Sequence, residues 1–262
     1  MNPTSGALTL ASTVTLGSLT SLPWLGDVVV AANGLYLYVA LWGPPSSLDV
    51  LTIGSGCTLT LASQLTNQAA AYVSIALLGS QGLMAVDFQQ SHIDIYSITQ
   101  GTQLKLVTSK PSSLYSPLGA AAIINAPPAS SYVLNADDGL EAHALSAKGV
   151  LGPVSGSPAE DPCWCTSANV FYDQANAQIV VSEQDSLGIY AVQGGKLTFL
   201  SQASLASGDD APSAMAELGA DLFVVNTLSN TVDSCAMSAG SATCSLAATL
   251  PTGGYPQGIG VL

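Results

Sequence analysis

Five short runs recur along the chain: Leu48-Asp49-Val50-Leu51, Ile93-Asp94-Ile95-Tyr96, Leu140-Glu141-Ala142-His143, Leu187-Gly188-Ile189-Tyr190 and Val232-Asp233-Ser234-Cys235. Their starts lie 45, 47, 47 and 45 residues apart. A period this regular restricts the chain to repeated units, each burying its apolar surface against its neighbours rather than within itself. The runs alternate apolar and polar residues, as half-buried strands do.

Other runs keep step with these markers. Nineteen or twenty residues upstream of each start lie Val28-Val29-Val30, Val73-Ser74-Ile75, Ala120 to Ile124, Ser167 to Phe171 and Ser213 to Ala216. Just upstream come Tyr36 to Ala40, Leu83 to Val86, Tyr132 to Leu134, Ile179 to Val181 and Leu222 to Val225, and downstream come Leu59, Leu104, Leu151, Leu197 and Leu246. Gly, Pro, Asn, Asp and Ser separate the runs, and helical periodicity is almost absent. Four strands in each period of about 46 residues are the content of a propeller blade.

The sequence therefore predicts an all-β fold: one β-propeller domain over 1–262, built of four-stranded antiparallel blades at about 25–63, 70–109, 117–155, 164–203 and 210–250. Residues 6–16 match a fourth strand and 256–262 a first strand, so the two are expected to meet in a split or incomplete sixth blade. On this reading the last blade is two-stranded, or the chain is a truncated propeller with no independent activity. Open blade edges would invite self-association.

Composition narrows the partners. The chain carries 17 Asp and Glu against four basic residues, a net charge of -13. All four are lysines, Lys105, Lys110, Lys148 and Lys196, so there is no arginine. Nucleic acid is excluded, because phosphate counterions must be replaced by basic side chains. Anionic membrane surfaces are excluded likewise, and no apolar run is long and unbroken enough for a membrane helix. Apolar residues at 48% against charged residues at 8% exclude a disordered chain. Met1-Asn2-Pro3-Thr4 lacks the basic region of a signal peptide. With five cysteines, the expectation is an exported protein whose leader has been removed, secreted, extracellular or periplasmic, or a fragment that begins within the fold.

Three stretches carry a resemblance: Leu35-Tyr36-Leu37-Tyr38-Val39; Leu222-Phe223-Val224-Val225-Asn226 followed by Ser229-Asn230-Thr231-Val232; and Asp161-Pro162-Cys163-Trp164. They are similar to the Tyr-Val-Thr-Asn repeats of the lactonase-like β-propeller family, which includes 6-phosphogluconolactonase-like propellers. The resemblance implies a propeller fold. In enzymatic members it implies lactone chemistry on sugar phosphates or carboxylated dienes, with arginines, a histidine and a glutamate holding the anionic substrate. Arginine serves there because its planar fork pairs with carboxylate or phosphate in two bonds. This sequence has no arginine to take that role.

Two sets of residues are candidates for function. The loops entering the first strands ring one mouth of the channel and hold Trp24, Tyr115, Glu160, Asp161, Trp164, Asp209, Asp210 and Tyr255. Aromatic faces with acids between them suit stacking on sugars or holding a cationic peptide. The bland alternative is that these aromatics cover the ends of the core. The second set is catalytic, and weaker: Glu183, Asp87 and His143. His143 takes the slot of Tyr96 and Tyr190, which favours packing over general-base work, and His92 sits in a polar turn.

Trp42, Asp87, Asn135, Glu183 and Asn226 close the second strands, four of them with side-chain oxygens. Such oxygens could hold Ca²⁺ but more often satisfy turn backbone, so no cofactor and no metal site is expected. Cys235 and Cys244, nine apart in adjoining strands, are placed for a disulfide. The partners of Cys57, Cys163 and Cys165 stay open. The sequence favours a binding or interaction module for a small molecule, glycan or peptide over an enzyme. The alternative is a lactone hydrolase acting on a neutral substrate.

Overall fold

The computed structural model describes residues 12–14, 16, 24–43, 45–114, 117–124, 131–136, 139–160, 169–206 and 212–249. Each expected unit is one antiparallel sheet with its strands side by side in chain order. The first sheet holds β1 (Trp24–Val30), β2 (Tyr36–Trp42), β3 (Ser46–Ile53) and β4 (Leu59–Asn67). The second holds β5 (Tyr72–Leu77), β6 (Gly82–Asp87), β7 (His92–Thr99) and β8 (Gln103–Pro111). The third holds β9 (Gly119–Ile124), β10 (Ser131–Ala136), β11 (Gly139–Leu145) and β12 (Leu151–Pro153), and the short β13 (Ala159–Glu160) also pairs with β11. The fourth holds β14 (Asn169–Asp173), β15 (Gln178–Ser182), β16 (Ser186–Gln193) and β17 (Lys196–Ser204). The fifth holds β18 (Pro212–Leu218), β19 (Asp221–Asn226), β20 (Thr231–Ser238) and β21 (Ser241–Thr249). All five marker runs fall in third strands: β3, β7, β11, β16 and β20.

Burial explains the sequence pattern. The second strands of the middle three sheets lie between neighbouring sheets, and β6 and β15 are buried at every residue and read as largely apolar runs. The fourth strands are outermost, and β4 and β8 alternate between half-buried and exposed positions. Apolar clusters span adjacent sheets. Tyr38, Leu48 and Val50 meet Ile75, Leu83 and Tyr96 between the first and second. Met84 and Ile95 meet Val133 and Leu145 between the second and third. Leu134 and Leu140 meet Ile179 and Tyr190 between the third and fourth, and Val180 and Ile189 meet Leu222 and Val224 between the fourth and fifth. Each large apolar side chain buried this way contributes about 1.5–3 kcal/mol.

Polar contacts set the order of the sheets. The first strands touch in the sequence β1, β5, β9, β14, β18. Asp27 on β1 accepts from the Ser74 hydroxyl at 2.9 Å and the Ile75 amide at 3.0 Å on β5, and Ser74 accepts from the Ala120 amide on β9 at 3.1 Å. Burial, more than these bonds offset, raises the Asp27 carboxyl above its ordinary value. At the far end, the hairpin between third and fourth strands docks on the preceding sheet. Tyr38 donates its hydroxyl to the Gly101 carbonyl at 2.9 Å, and the Gly240 amide donates to Gln178 Oε1 at 2.8 Å. Gly101 has φ 76°, and a Cβ there would strike the Tyr36 ring.

The Cys235–Cys244 disulfide is formed, between residues directly opposite one another on β20 and β21. Cys57 is an exposed free thiol. Cys163 and Cys165 lie outside the described residues. So do 6–11, 15 and 256–262 of the expected split blade; Val14 and Leu16 pack on Val39, Leu41 and Leu51 of the first sheet.

Candidate functional site

Antiparallel order puts the connections between sheets at the same end as the turns joining second to third strands. Of the eight residues expected at that mouth, Tyr115, Asp161, Trp164, Asp209, Asp210 and Tyr255 lie outside the described residues. Trp24 opens β1, paired with Trp42. Glu160 closes β13, paired with Gly139 at the start of β11.

The second residue of each marker run carries a buried acid in four sheets: Asp49, Asp94, Glu141 and Asp233. In the fourth sheet that residue is Gly188, and Glu183 Oε1 fills the space a Cβ there would need. Gln64 on β4 donates to Asp49 at 3.0 Å, and Gln202 on β17 donates to Glu183 at 2.7 Å, so the same bond forms with the acid supplied from the turn after β15. Several acids also fasten the incoming connection. Asp87 accepts from the Ala71 amide, Glu141 from the Ser113 amide and Asp233 from the Ala206 amide, at 2.9, 3.0 and 3.0 Å.

The third sheet departs from this pattern. Its outer strand is broken: β12 pairs with β11 only at 143–145 and β13 only at 139–140. Opposite Glu141 and Ala142 the chain leaves the sheet and runs against β17, where the Leu197 amide donates to the Ser155 carbonyl at 2.8 Å, and the Ala142 amide donates to Ser157 Oγ at 2.8 Å. The interruption leaves a pocket of about 430 Å³ whose lining includes Lys110, Ser112, Ser113, Glu141, His143 and Pro158. It opens at the junction of the second and third sheets, between the connection that leads to Tyr115 and the segment that leads to Glu160.

Its floor is a polar chain. Glu141 Oε2 accepts from the Ser112 hydroxyl at 2.7 Å, and Oε1 from the Ser113 hydroxyl at 2.5 Å as well as its amide. His143 Nε2 lies 3.1 Å from Oε1 but without the angle of a hydrogen bond. On the other side of the ring, Lys110 Nζ is 3.1 Å from Nδ1. An ammonium only donates, so Nδ1 is the acceptor and Nε2 carries the proton. Burial alone would raise the Glu141 carboxyl; the adjacent His143 ring and the bonds from Ser113 and Ser112 outweigh it and lower it to about 2. Glu141 is therefore a fixed negative charge at neutral pH.

The three catalytic candidates lie in three different sheets. Asp87 accepts three backbone amides, from Ala71, Gln89 and Gln90, which is turn chemistry. Glu183 accepts from Ser186 and Gln202, both at 2.7 Å. His143 belongs to the pocket, but both its nitrogens face Lys110 and Glu141, and Ser112 and Ser113 bond the carboxylate rather than the imidazole. A nucleophile needs its base within hydrogen-bond reach, and the described bonds supply no such pair here. Among the described residues no three His, Cys, Asp or Glu are grouped to hold a metal. Sequence reasoning singled out His143 but missed Glu141, Lys110, Ser112 and Ser113. The repeat register was the available signal for Glu141, since it shares a slot with Asp49, Asp94 and Asp233.

Comparison with solved structures fits this geometry. A periplasmic gluconolactonase from Pseudomonas aeruginosa superposes with a TM-score of 0.66 at 18% identity, over 88% of this chain and 70% of that one. A 6-phosphogluconolactonase candidate from Bacteroides uniformis gives 0.72 at 12% identity, over 88% and 72%. The fold is a β-propeller, as in both of these structures. Its five described sheets are blades, and the first strands lie innermost. A chain of a nidogen–laminin complex also superposes, with a TM-score of 0.54 at 13% identity over 87% of this chain and 86% of that one. No protein-family model matches the sequence, and no curated protein matches it.

Proposed function

We propose that this propeller is an exported binding module that takes its ligand on the face carrying the inter-blade connections. The supporting observation is the broken outer strand of the third blade, which opens a pocket of about 430 Å³ lined in part by Ser112 and Ser113 of an inter-blade connection. Pockets of this size, with apolar walls and a few fixed polar groups, suit small ligands or the end of a larger one. Asp87 and Glu183 on this face are held by donors from the fold itself, so these two carboxylates brace the turns. The disulfide agrees with an oxidising compartment.

The test is a titration of neutral oligosaccharides and lysine-containing peptides against the parent and a Trp24→Ala/Trp164→Ala variant. A ligand bound by the parent and lost at least tenfold in the variant, with unchanged thermal unfolding, is expected. Equal binding by both would refute the mouth as the site. A second reading, a hydrolase for neutral lactones, draws on the neighbour described as a gluconolactonase. Turnover of glucono-lactone, sensitive to His143→Ala, Glu183→Gln or Asp87→Asn or to chelator, would favour it.

A further inference from the structure

We propose that the Glu141 pocket binds the ring of a neutral saccharide, holding a pair of adjacent hydroxyls between the Glu141 carboxylate and the Lys110 ammonium. This rests on the reading that the connection face binds ligands and adds the class of ligand and the residues that read it.

The polar groups have capacity left. A carboxylate offers about four acceptor sites. Glu141 Oε1 is crowded by Ser113 and His143, whereas Oε2 takes only the Ser112 hydroxyl among the described bonds. Lys110 is half-buried and directs one of its protons to His143 Nδ1, leaving others for a ligand oxygen. His143 is buried, lines the pocket and has an Nε2 without a well-aligned hydrogen bond. Pro111, Pro153, Pro158 and Val154 supply apolar wall. One acceptor and one donor side by side, with an apolar wall nearby, match a vicinal diol on the edge of a ring whose C–H face needs cover.

Charge selects the neutral ligand. Glu141 stays ionised and opposes an anion, and the molecule as a whole carries a net charge of -13. Lys110 stands in the same pocket and opposes a cation. A cationic peptide is therefore the disfavoured occupant.

The experiment is calorimetry and saturation-transfer NMR of the full chain with glucose, galactose and mannose, with glucuronate and glucosamine as charged counterparts, and with the peptide Gly-Lys-Gly. At least one neutral hexose is expected to bind, more tightly than either charged analogue and the peptide. Lys110→Met and Glu141→Gln should each weaken it about tenfold, as loss of a charge-assisted hydrogen bond does. Lys110→Met is the safer variant because Lys110 is not in the core, and thermal unfolding checks that both fold. Hexose binding unaffected by Lys110→Met but lost in Trp24→Ala/Trp164→Ala overturns this subsite and leaves the binding face standing. Preference for the peptide or a charged sugar overturns the ligand class. Failure of every probe to bind overturns the subsite and the ligand class.

Discussion

Glu183 and Gly188 are interlocked: the Glu183 carboxylate occupies the volume that any side chain at 188 would need. Glycine here is a packing requirement rather than a turn signal. Gly188→Ala drives a methyl group into that carboxylate and against the Tyr190 ring, and overpacking of this kind costs about 1–3 kcal/mol. Denaturant unfolding should show this loss. Glu183→Ala with Gly188→Ala should cost less than the sum of the two single changes, because the first removes the obstacle the second meets.

Glu141 gives the fold a specific acid sensitivity. Its carboxyl is lowered to about 2 in the native chain against an ordinary 4.5. A depressed native value stabilises the fold above the unfolded value, and the contribution is lost as pH falls from about 4.5 toward 2. Asp27 and Asp94 act oppositely, since burial raises both and protonation then favours the native state. Glu141→Gln should therefore flatten the fall in stability between pH 4.5 and 2 while lowering stability at pH 7, as read by urea unfolding across that range.

The Cys235–Cys244 bond closes a short loop in the outer half of the fifth blade. Loop-closure entropy for this separation gives about 2–3 kcal/mol. A reductant should lower the thermal midpoint of the parent and leave a Cys235→Ala/Cys244→Ala variant unmoved.

The hairpin at Gly101 is locked beneath the first blade. Gly101→Ala combines an unfavourable positive φ with a clash on Tyr36, and it should destabilise more than Tyr38→Phe, which only removes one hydrogen bond worth about 1 kcal/mol. Hydrogen exchange should report the opening first at 99–103 and in β2.

Much of this architecture is visible in the sequence because propeller blades are local. Each marker run, its upstream partner and its downstream partner lie within one period, so strand order and the pairing of Cys235 with Cys244 follow from spacing. The unbroken run Leu83-Met84-Ala85-Val86 even signals burial on both faces. The site is less legible because it is built across blades. Ser112 and Ser113 reach Glu141 from another sheet's connection, 28 or 29 residues away, and no local pattern announces that contact. Glu183 reads as the residue closing a second strand, and its substitution for a missing third-strand acid appears only when Gly188 is seen beside it. The pocket arises from what the third blade's outer strand lacks, and the sequence there, Leu151 to Glu160, differs from the other fourth strands mainly by two glycines and two prolines.

Radial packing of successive blades through their first strands is the claim from which the site's position follows. Asp27 and Ser74, 47 residues apart in sequence, touch at 2.9 Å across the first two blades. An Asp27→Cys/Ser74→Cys variant, oxidised and mapped by peptide mass spectrometry, tests that contact directly. The expected result is a 27–74 cross-link in folded monomer that disappears when the protein is denatured before oxidation. A folded variant in which cysteines 27 and 74 stay unpaired, or bond only to other positions, would contradict the arrangement.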